Sequence, residues 1–485
     1  MFPTSFKKIL AVLLIVPLSG LAQNLPELGD ASDASLSEGE ERNIGKRIML
    51  EVRSDTAYVD DPELVDYVAE LGNKLVLSGK TERREFEFFL LQDDSINAFA
   101  LVGGFVGIHT GLILASQNES ELAGVMGHEI SHILQRHQAR GIAGQKGSTL
   151  ASMAALAVAI LASRGGGASQ VPEAAVATAT AIGIQGQLDY SREFESEADR
   201  MGLGIMERAG FDARGMVSFF ERLQRANRHN DGKAPGYLRT HPLTTERIAE
   251  MQNRVSAMPV KSVPDSMDYQ FAHAKLRAQA GSANDALEYF RATIAAKTIL
   301  RSKADVYGLA LALKRNRDFT AAEKELASIR SAGASNPWVE HLAAEINSDQ
   351  KKYTEALAIY RSALKAFPNR RALFYGQLET LYETGQTDVA LSAVTERLRN
   401  VQDDPKLYDL QARGYALKGK KLAQHRASAE SYYRRGNASA AVDQLELAVK
   451  AKDGDFYEQS GAEARLRELK AEIIAKKLKD EKKDR

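Results

Sequence analysis

The residues with most chemistry in this chain are His128-Glu129-Ile130-Ser131-His132. On a helix at about 100° per residue, positions four apart stand roughly 40° from each other and one turn along. Both imidazoles can therefore reach one ion. Glu129, beside the first imidazole, can hold a proton acceptor next to an open coordination position. Leu122, Val125, Met126, Ile133 and Leu134 supply apolar surface to bury such a helix. The alternative is two histidines on a solvated helix face.

A tetrahedral catalytic zinc takes three protein ligands and a water, so a third donor is expected downstream. Residues 190–200 read YSREFESEADR. Glu195 and Asp199 are four apart and share a helix face. Glu195 can ligate, and Asp199 can accept a hydrogen bond from the second nitrogen of a ligating histidine. Glu193 and Glu197 compete for the ligand role, and the rival reading is a solvated acidic helix balanced by Arg192 and Arg200. The predicted chemistry is peptide hydrolysis, with the ion acidifying water and Glu129 taking a proton and returning it to the leaving amine. Tyr190 and Arg192 are weak candidates for a donor to the oxyanion. His109 is a weaker ligand candidate, and so is His137, which on a continuous helix stands about 140° round from His132 and faces away.

These groups need elements to hold them. Asp61 caps and Pro62 opens a predicted helix over 60–77, with Leu64, Val65, Val68, Leu71 and Leu75 on one face. Residues 85–91 and 95–108 read as strands with a break at Gly103-Gly104. The strand around Asn97, Ala98 and Phe99, with Gly103 and Gly104, is an expected edge on which an extended substrate adds as a strand, the glycines admitting its backbone closely. A long helix is expected from Asn118 to His137. The Ala-rich stretch 148–186, with Gly165–Gly167 inside it, reads as a lid-like insertion; the apolar run Leu150–Ala162 is too short to span a bilayer, though it allows a peripheral membrane contact.

From residue 267 the texture becomes helix pairs. Ala286, Ala322, Ala356 and Ala390 are 36, 34 and 34 residues apart, the period of tetratricopeptide repeats, in which small residues sit where two helices approach. Ala441 lies 51 further on, which implies one longer or irregular repeat. The charged tail 464–485 reads as a helix capping the open end. The expected fold is thus an α+β zincin-type metallopeptidase domain over 38–260, followed by an all-α tetratricopeptide-repeat solenoid over 267–475.

Composition narrows the function. Lys+Arg and Asp+Glu number 64 each and Cys is absent. Zero net charge argues against a nucleic-acid binder, and the missing thiols exclude disulfides, thiolate zinc sites and cysteine nucleophiles. Residues 1–22 have Lys7 and Lys8, an apolar run and a Gly20-Leu21-Ala22 end, the pattern of a cleavable secretory signal. Residues 23–37 read as a flexible leader. An exported protein is expected.

HExxH followed some sixty residues later by ExxxD resembles the gluzincin metallopeptidases. NAFALVGGFVGIHTG, GHEISH and SREFESEAD resemble their HtpX-like and CAAX-prenyl-protease branch. With a signal segment and carboxy-terminal repeats, the whole chain is similar to the periplasmic β-barrel assembly-enhancing protease family. The resemblance implies one Zn²⁺ per chain held by His128, His132 and Glu195, and Asp199 as a catalytic acid or a support for a ligand. It also implies that His241, in RTHPLTTER, is a regulatory fourth ligand; without the resemblance that loop needs only turn chemistry. The implied partners are unfolded or stalled outer-membrane protein clients and the outer-membrane β-barrel assembly machinery. The implied activity is a periplasmic endopeptidase with chaperone-like action in assembly and quality control. The alternative is a chaperone or scaffold whose metal site stays shut.

Overall fold

The computed structural model describes residues 36–79, 85–143, 192–228, 235–296, 302–331 and 335–483. The signal segment, residues 23–35 of the leader and the 148–186 insertion lie outside the described residues.

Helix α1 (Glu38–Ser54) starts at a capping box. The Ser37 hydroxyl accepts from the Glu40 N–H, and the Glu40 carboxylate accepts from the Ser37 N–H at 2.9 Å. Helix α2 (Pro62–Leu77) is capped by Asp61, whose carboxylate accepts from the N–H groups of Glu63 and Leu64. Its Leu64, Val68, Leu71 and Leu75 are buried, while Val65 is half-buried and turns to a cleft described below.

Three strands follow: β1 (Glu87–Leu91), β2 (Ala98–Leu101) and β3 (Phe105–His109), in the order β1-β3-β2, with β1 parallel and β2 antiparallel to β3. The two-residue period of a strand splits their side chains into two layers. Phe88, Leu90, Ala98, Ala100, Val106 and Ile108 join the main core, which α2 also feeds. Phe89, Leu91, Phe99, Leu101 and Phe105 face the other way, onto Ile44, Ile48 and Val52 of α1. Gly103 and Gly104 are the β2–β3 turn, with φ of 79° and 91°, a region that favours glycine. A Cβ on either would collide with backbone of Glu41 or Glu85. These two glycines are therefore packed beneath α1 and the segment before β1, and the expectation that they admit a substrate backbone is corrected.

After the short α3 (Thr110–Ala115) comes α4 (Glu119–Leu134), which carries the HExxH string and is buried on nearly every side. It ends three residues before the expected His137. Arg136 takes a left-handed φ of 52°, and α5 (His137–Ala143) sets off on a new axis. Helix α6 (Arg192–Ala209) packs against α4 where Gly127 and Gly202 meet; a Cβ on Gly202 would lie 3.2 Å from the His128 backbone nitrogen. Only small residues allow that approach, and it sets the distance between the two halves of the site. Helices α7 (Arg214–Arg228), α8 (Gly236–Thr240) and α9 (Thr245–Ser256) complete this region.

Six helix pairs follow. Their first helices begin at 267, 303, 337, 371, 405 and 438, and their second helices at 283, 319, 353, 387, 421 and 456. Ala286, Ala322, Ala356 and Ala390 are buried on second helices, as tetratricopeptide packing requires. Ala441 is buried too, but on a first helix. The 51-residue gap holds two whole helices, where each of the earlier gaps holds one, so the marker spacing shifts there by one helix. Among the described residues no helix is long and apolar enough to cross a membrane.

The solenoid curls back over α2. Lys275, on the first repeat helix α10 (Met267–Gln279), is buried with its Nζ 2.6 Å from both Asp61 and Glu63. His341 Nδ1 lies 3.2 Å from the other oxygen of Glu63. Arg370 pairs with Glu70 and Arg371 with Asp66. Between repeats and peptidase region runs a cleft of about 1200 Å³, lined by Arg42, Arg53, Tyr58, Tyr360, Arg413 and Arg434 among others.

Candidate metal centre

His128 and His132 project from α4 toward the buried face of α6. Their Nε2 atoms are 3.0 Å apart. Glu195 reaches both, with Oε2 3.5 Å from His128 Nε2 and Oε1 3.4 Å from His132 Nε2. His241, at the end of α8, puts its Nδ1 3.3 Å from His128 Nε2 and 2.9 Å from Glu195. All four donors lie within 4.8 Å of one another, and all four residues are buried. Zinc bonds of about 2.0–2.1 Å in a tetrahedron give donor–donor edges of about 3.3 Å. Glu195 Oε1 lies 2.9 Å from His241 and 3.4 Å from His132, His128 lies 3.0 Å from His132 and 3.3 Å from His241, and the whole set stays within 4.8 Å, so the four donors are close enough to surround one ion.

The competing acids are placed elsewhere. Glu193 is exposed, and Glu197 points to His137 at 3.0 Å. The solvated-helix reading fails because Glu195 and Asp199 are 1% and 3% exposed. Asp199 lies 3.0 Å from His128 Nδ1, an ion-pair distance without hydrogen-bond geometry.

Glu129 is fully buried next to the cluster, with His241 Nε2 3.4 Å away and neither oxygen in a formed hydrogen bond among the described residues. Burial raises its pKa, against the pull of His241 and His128. Burial works the same way on Glu195, but His241 and His128 overcome it and hold that carboxyl well below its usual range. Desolvation opposes a proton on His128, yet Glu195 and Asp199 outweigh it and raise the pKa; for His132 desolvation wins and the pKa falls. Glu195 is thus ionised and His132 neutral, as ligands must be, whereas His128 without an ion favours a proton that metal binding has to displace.

Sequence reasoning missed three residues. Arg247, from α9, donates to both Asp199 oxygens at 2.8 Å and lies 2.6 Å from Glu195; nothing in TTER marked it as buried. Tyr237 stacks on His241 with ring centroids 4.7 Å apart, and its buried hydroxyl has no hydrogen-bond partner among the described residues. His137 does not face away: its Nδ1 is 2.9 Å from His132 Nδ1. The 140° argument assumed one continuous helix, and the left-handed turn at Arg136 removes that premise. His109 stays outside the cluster, against Ser95 and Asp93. Tyr190 lies outside the described residues, and Arg192 is exposed.

The β2 edge lies beside this cluster. Ala98 and Phe99 are buried, Asn97 is half-buried with a side-chain oxygen that has no hydrogen-bond partner among the described residues, and the Ala100 carbonyl accepts from Gln138 at 2.6 Å.

A glutamate-bearing HExxH helix, a carboxylate from a second helix and a repeat solenoid define a metallopeptidase joined to tetratricopeptide repeats. Residues 62–255 match the model of peptidase family M48, and residues 348–414 match a tetratricopeptide repeat model. The chain is 32% identical to the beta-barrel assembly-enhancing protease of Escherichia coli over 452 residues, which cover 93% of this chain and 92% of that one. It is 29% identical to the protein of that name from Yersinia pestis, over 95% of this chain and 96% of the relative. The mitochondrial metalloendopeptidase OMA1 of Schizosaccharomyces pombe is 28% identical over 40% of this chain and 54% of its own. The chain belongs to peptidase family M48, within its beta-barrel assembly-enhancing protease group, and is a metalloendopeptidase.

Proposed function

We propose that the protein is a periplasmic zinc endopeptidase with chaperone-like action that degrades misfolded or stalled outer-membrane β-barrel clients. The observation that carries this reading is the buried convergence of His128, His132, Glu195 and His241 beside the buried carboxyl of Glu129. A zinc ion held there supplies Lewis-acid polarisation of a peptide carbonyl and of water. Glu129, kept dry so that it accepts a proton more readily than an ordinary carboxylate, takes the proton from water and returns it to the leaving amine. Asp199 orients His128 through Nδ1. The β2 edge at Asn97, Ala98 and Phe99 receives the extended client backbone. The solenoid and its cleft hold clients or the β-barrel assembly machinery, as the names of the relatives suggest.

His241 favours a second reading. It occupies the fourth corner, the position a reacting water needs, so the site is shut until the α8–α9 loop moves. In a resting state of this kind the protein acts as a chaperone or scaffold. Glu129→Gln separates the readings. It should retain metal but lose cleavage of a denatured outer-membrane barrel protein. Cleavage at the parental rate would remove Glu129 from the mechanism, and assembly support that survives the loss of cleavage would belong to the scaffold.

A further inference from the structure

The two imidazoles of the HExxH pair are supported differently. His128 Nδ1 meets Asp199 directly at 3.0 Å, and Arg247 holds Asp199 from behind. On that side His132 meets a second imidazole. Its Nδ1 is 2.9 Å from Nδ1 of His137, and Nε2 of His137 is 3.0 Å from Glu197. Arg140 then holds Glu197 at 2.9 Å.

We propose that His137 and Glu197 form a relay that positions His132 and fixes its tautomer. The relay rests on the reading of His132 as a metal ligand, given above. His132 Nε2 lies among the cluster donors, so a ligating ring carries its proton on Nδ1. That N–H donates to His137 Nδ1, which leaves the His137 proton on Nε2, donating to the Glu197 carboxylate. Each ring has one allowed tautomer once Nε2 of His132 is committed. Both ligand chains then end on a carboxylate of α6 backed by an arginine, Asp199 with Arg247 and Glu197 with Arg140.

The surroundings are built for this placement. His137 is 0% exposed, and its ring lies flat on Phe194, with centroids 4.5 Å apart and planes 5° from parallel. The Arg140 guanidinium sits 4.5 Å from the centre of the same ring. His137 reaches His132 only because Arg136 leaves the α4 helix in a left-handed conformation, which costs a non-glycine residue of order 1 kcal/mol or more. Buried contacts hold Arg136 there: its Nε donates to Glu41 at 3.0 Å, and a terminal nitrogen donates to the Leu36 carbonyl. The strain is local, and it aims one ring.

The test is zinc affinity by competition with a chromophoric chelator, on the full chain, with the visible spectrum of the cobalt-substituted protein as a second readout. His137→Phe keeps the stacking and removes both hydrogen bonds. It should bind zinc 10- to 100-fold more weakly, the usual effect of losing such a partner, and shift the cobalt bands. His137→Gln, which can accept from His132 and donate to Glu197, should recover most of the affinity. Parental affinity and an unchanged spectrum in His137→Phe would overturn the relay. If that variant does not fold, Glu197→Gln decides: a several-fold loss supports the relay, and parental affinity overturns it. Parental zinc binding by His132→Ala would overturn the ligand assignment itself, and the relay with it.

Discussion

Replacing Lys275 with Met should loosen the seat of the solenoid on the peptidase region. Lys275 Nζ lies 2.6 Å from Asp61 and 2.6 Å from Glu63, and with His341 it is the cationic company of a buried carboxylate. Burial alone would push Glu63 up, but Lys275 and His341 pull its pKa down to about 2. Against an ordinary 4.5, that gap is worth about 3.5 kcal/mol at about 1.4 kcal/mol per pH unit. It agrees with the 3–5 kcal/mol, roughly, that removing one partner of a buried pair costs. The sign with pH follows. A depressed carboxyl stabilises fully above about pH 4.5 and loses its contribution as pH falls toward 2. His341, whose pKa is raised because Glu63 and Glu345 outweigh its burial, stabilises fully below 6.5 and loses its share as pH rises through that raised value. Trp338 is the only tryptophan, stacks on Phe271 at the same seam and reports its opening by fluorescence. In urea at pH 6, with a slope of about 3 kcal/mol/M, the variant's first transition should fall by about 1 M. The deficit should shrink as pH drops below 4.5. Adding Glu63→Leu should restore much of the loss, because no buried carboxylate is then stranded at that position. An unchanged midpoint in Lys275→Met would refute the reasoning.

Three further outcomes are expected at the site. His241→Ala should keep the metal on three ligands and raise cleavage of an unfolded substrate several-fold; an unchanged rate would count against closure by this loop. Arg247→Leu strands Glu195 and Asp199 without their shared cation, and should cost about 3 kcal/mol of stability in thermal or urea unfolding of the apo protein. Gly202→Leu should prise α4 from α6, with about 2 kcal/mol lost and zinc bound at least tenfold more weakly; parental affinity would show that this contact does not set the donor spacing.

The legible parts of the site were those with a helical period. His128 and His132, and Glu195 and Asp199, are pairs four apart, and a helix places each pair on one face whatever the tertiary context. Residues 190–200 left the ligand open among three acids, because only packing against α4 buries Glu195 while Glu193 stays in water. His137 was misread because the α4–α5 break falls at an arginine, with no glycine or asparagine to announce a left-handed residue. Arg247 was invisible for a similar reason: its burial depends on two acids some fifty residues earlier in the chain. Gly103-Gly104 was correctly seen as a break, but glycine pairs serve tight turns and open backbones alike, and only the positive φ values separate the two. In the solenoid the alanine markers held until 390. They then slipped by half a repeat, because first and second helices both place alanine at a close approach and Gln424 stands where the next marker was due.

The central claim is that two imidazoles of α4 and one carboxylate of α6 share a single ion. Metal analysis of the purified protein, repeated on Glu195→Gln, addresses it most directly. The account predicts one zinc per chain in the parent and a loss of most of it in the variant. A parent without zinc, or a variant that holds it as tightly as the parent, would contradict it.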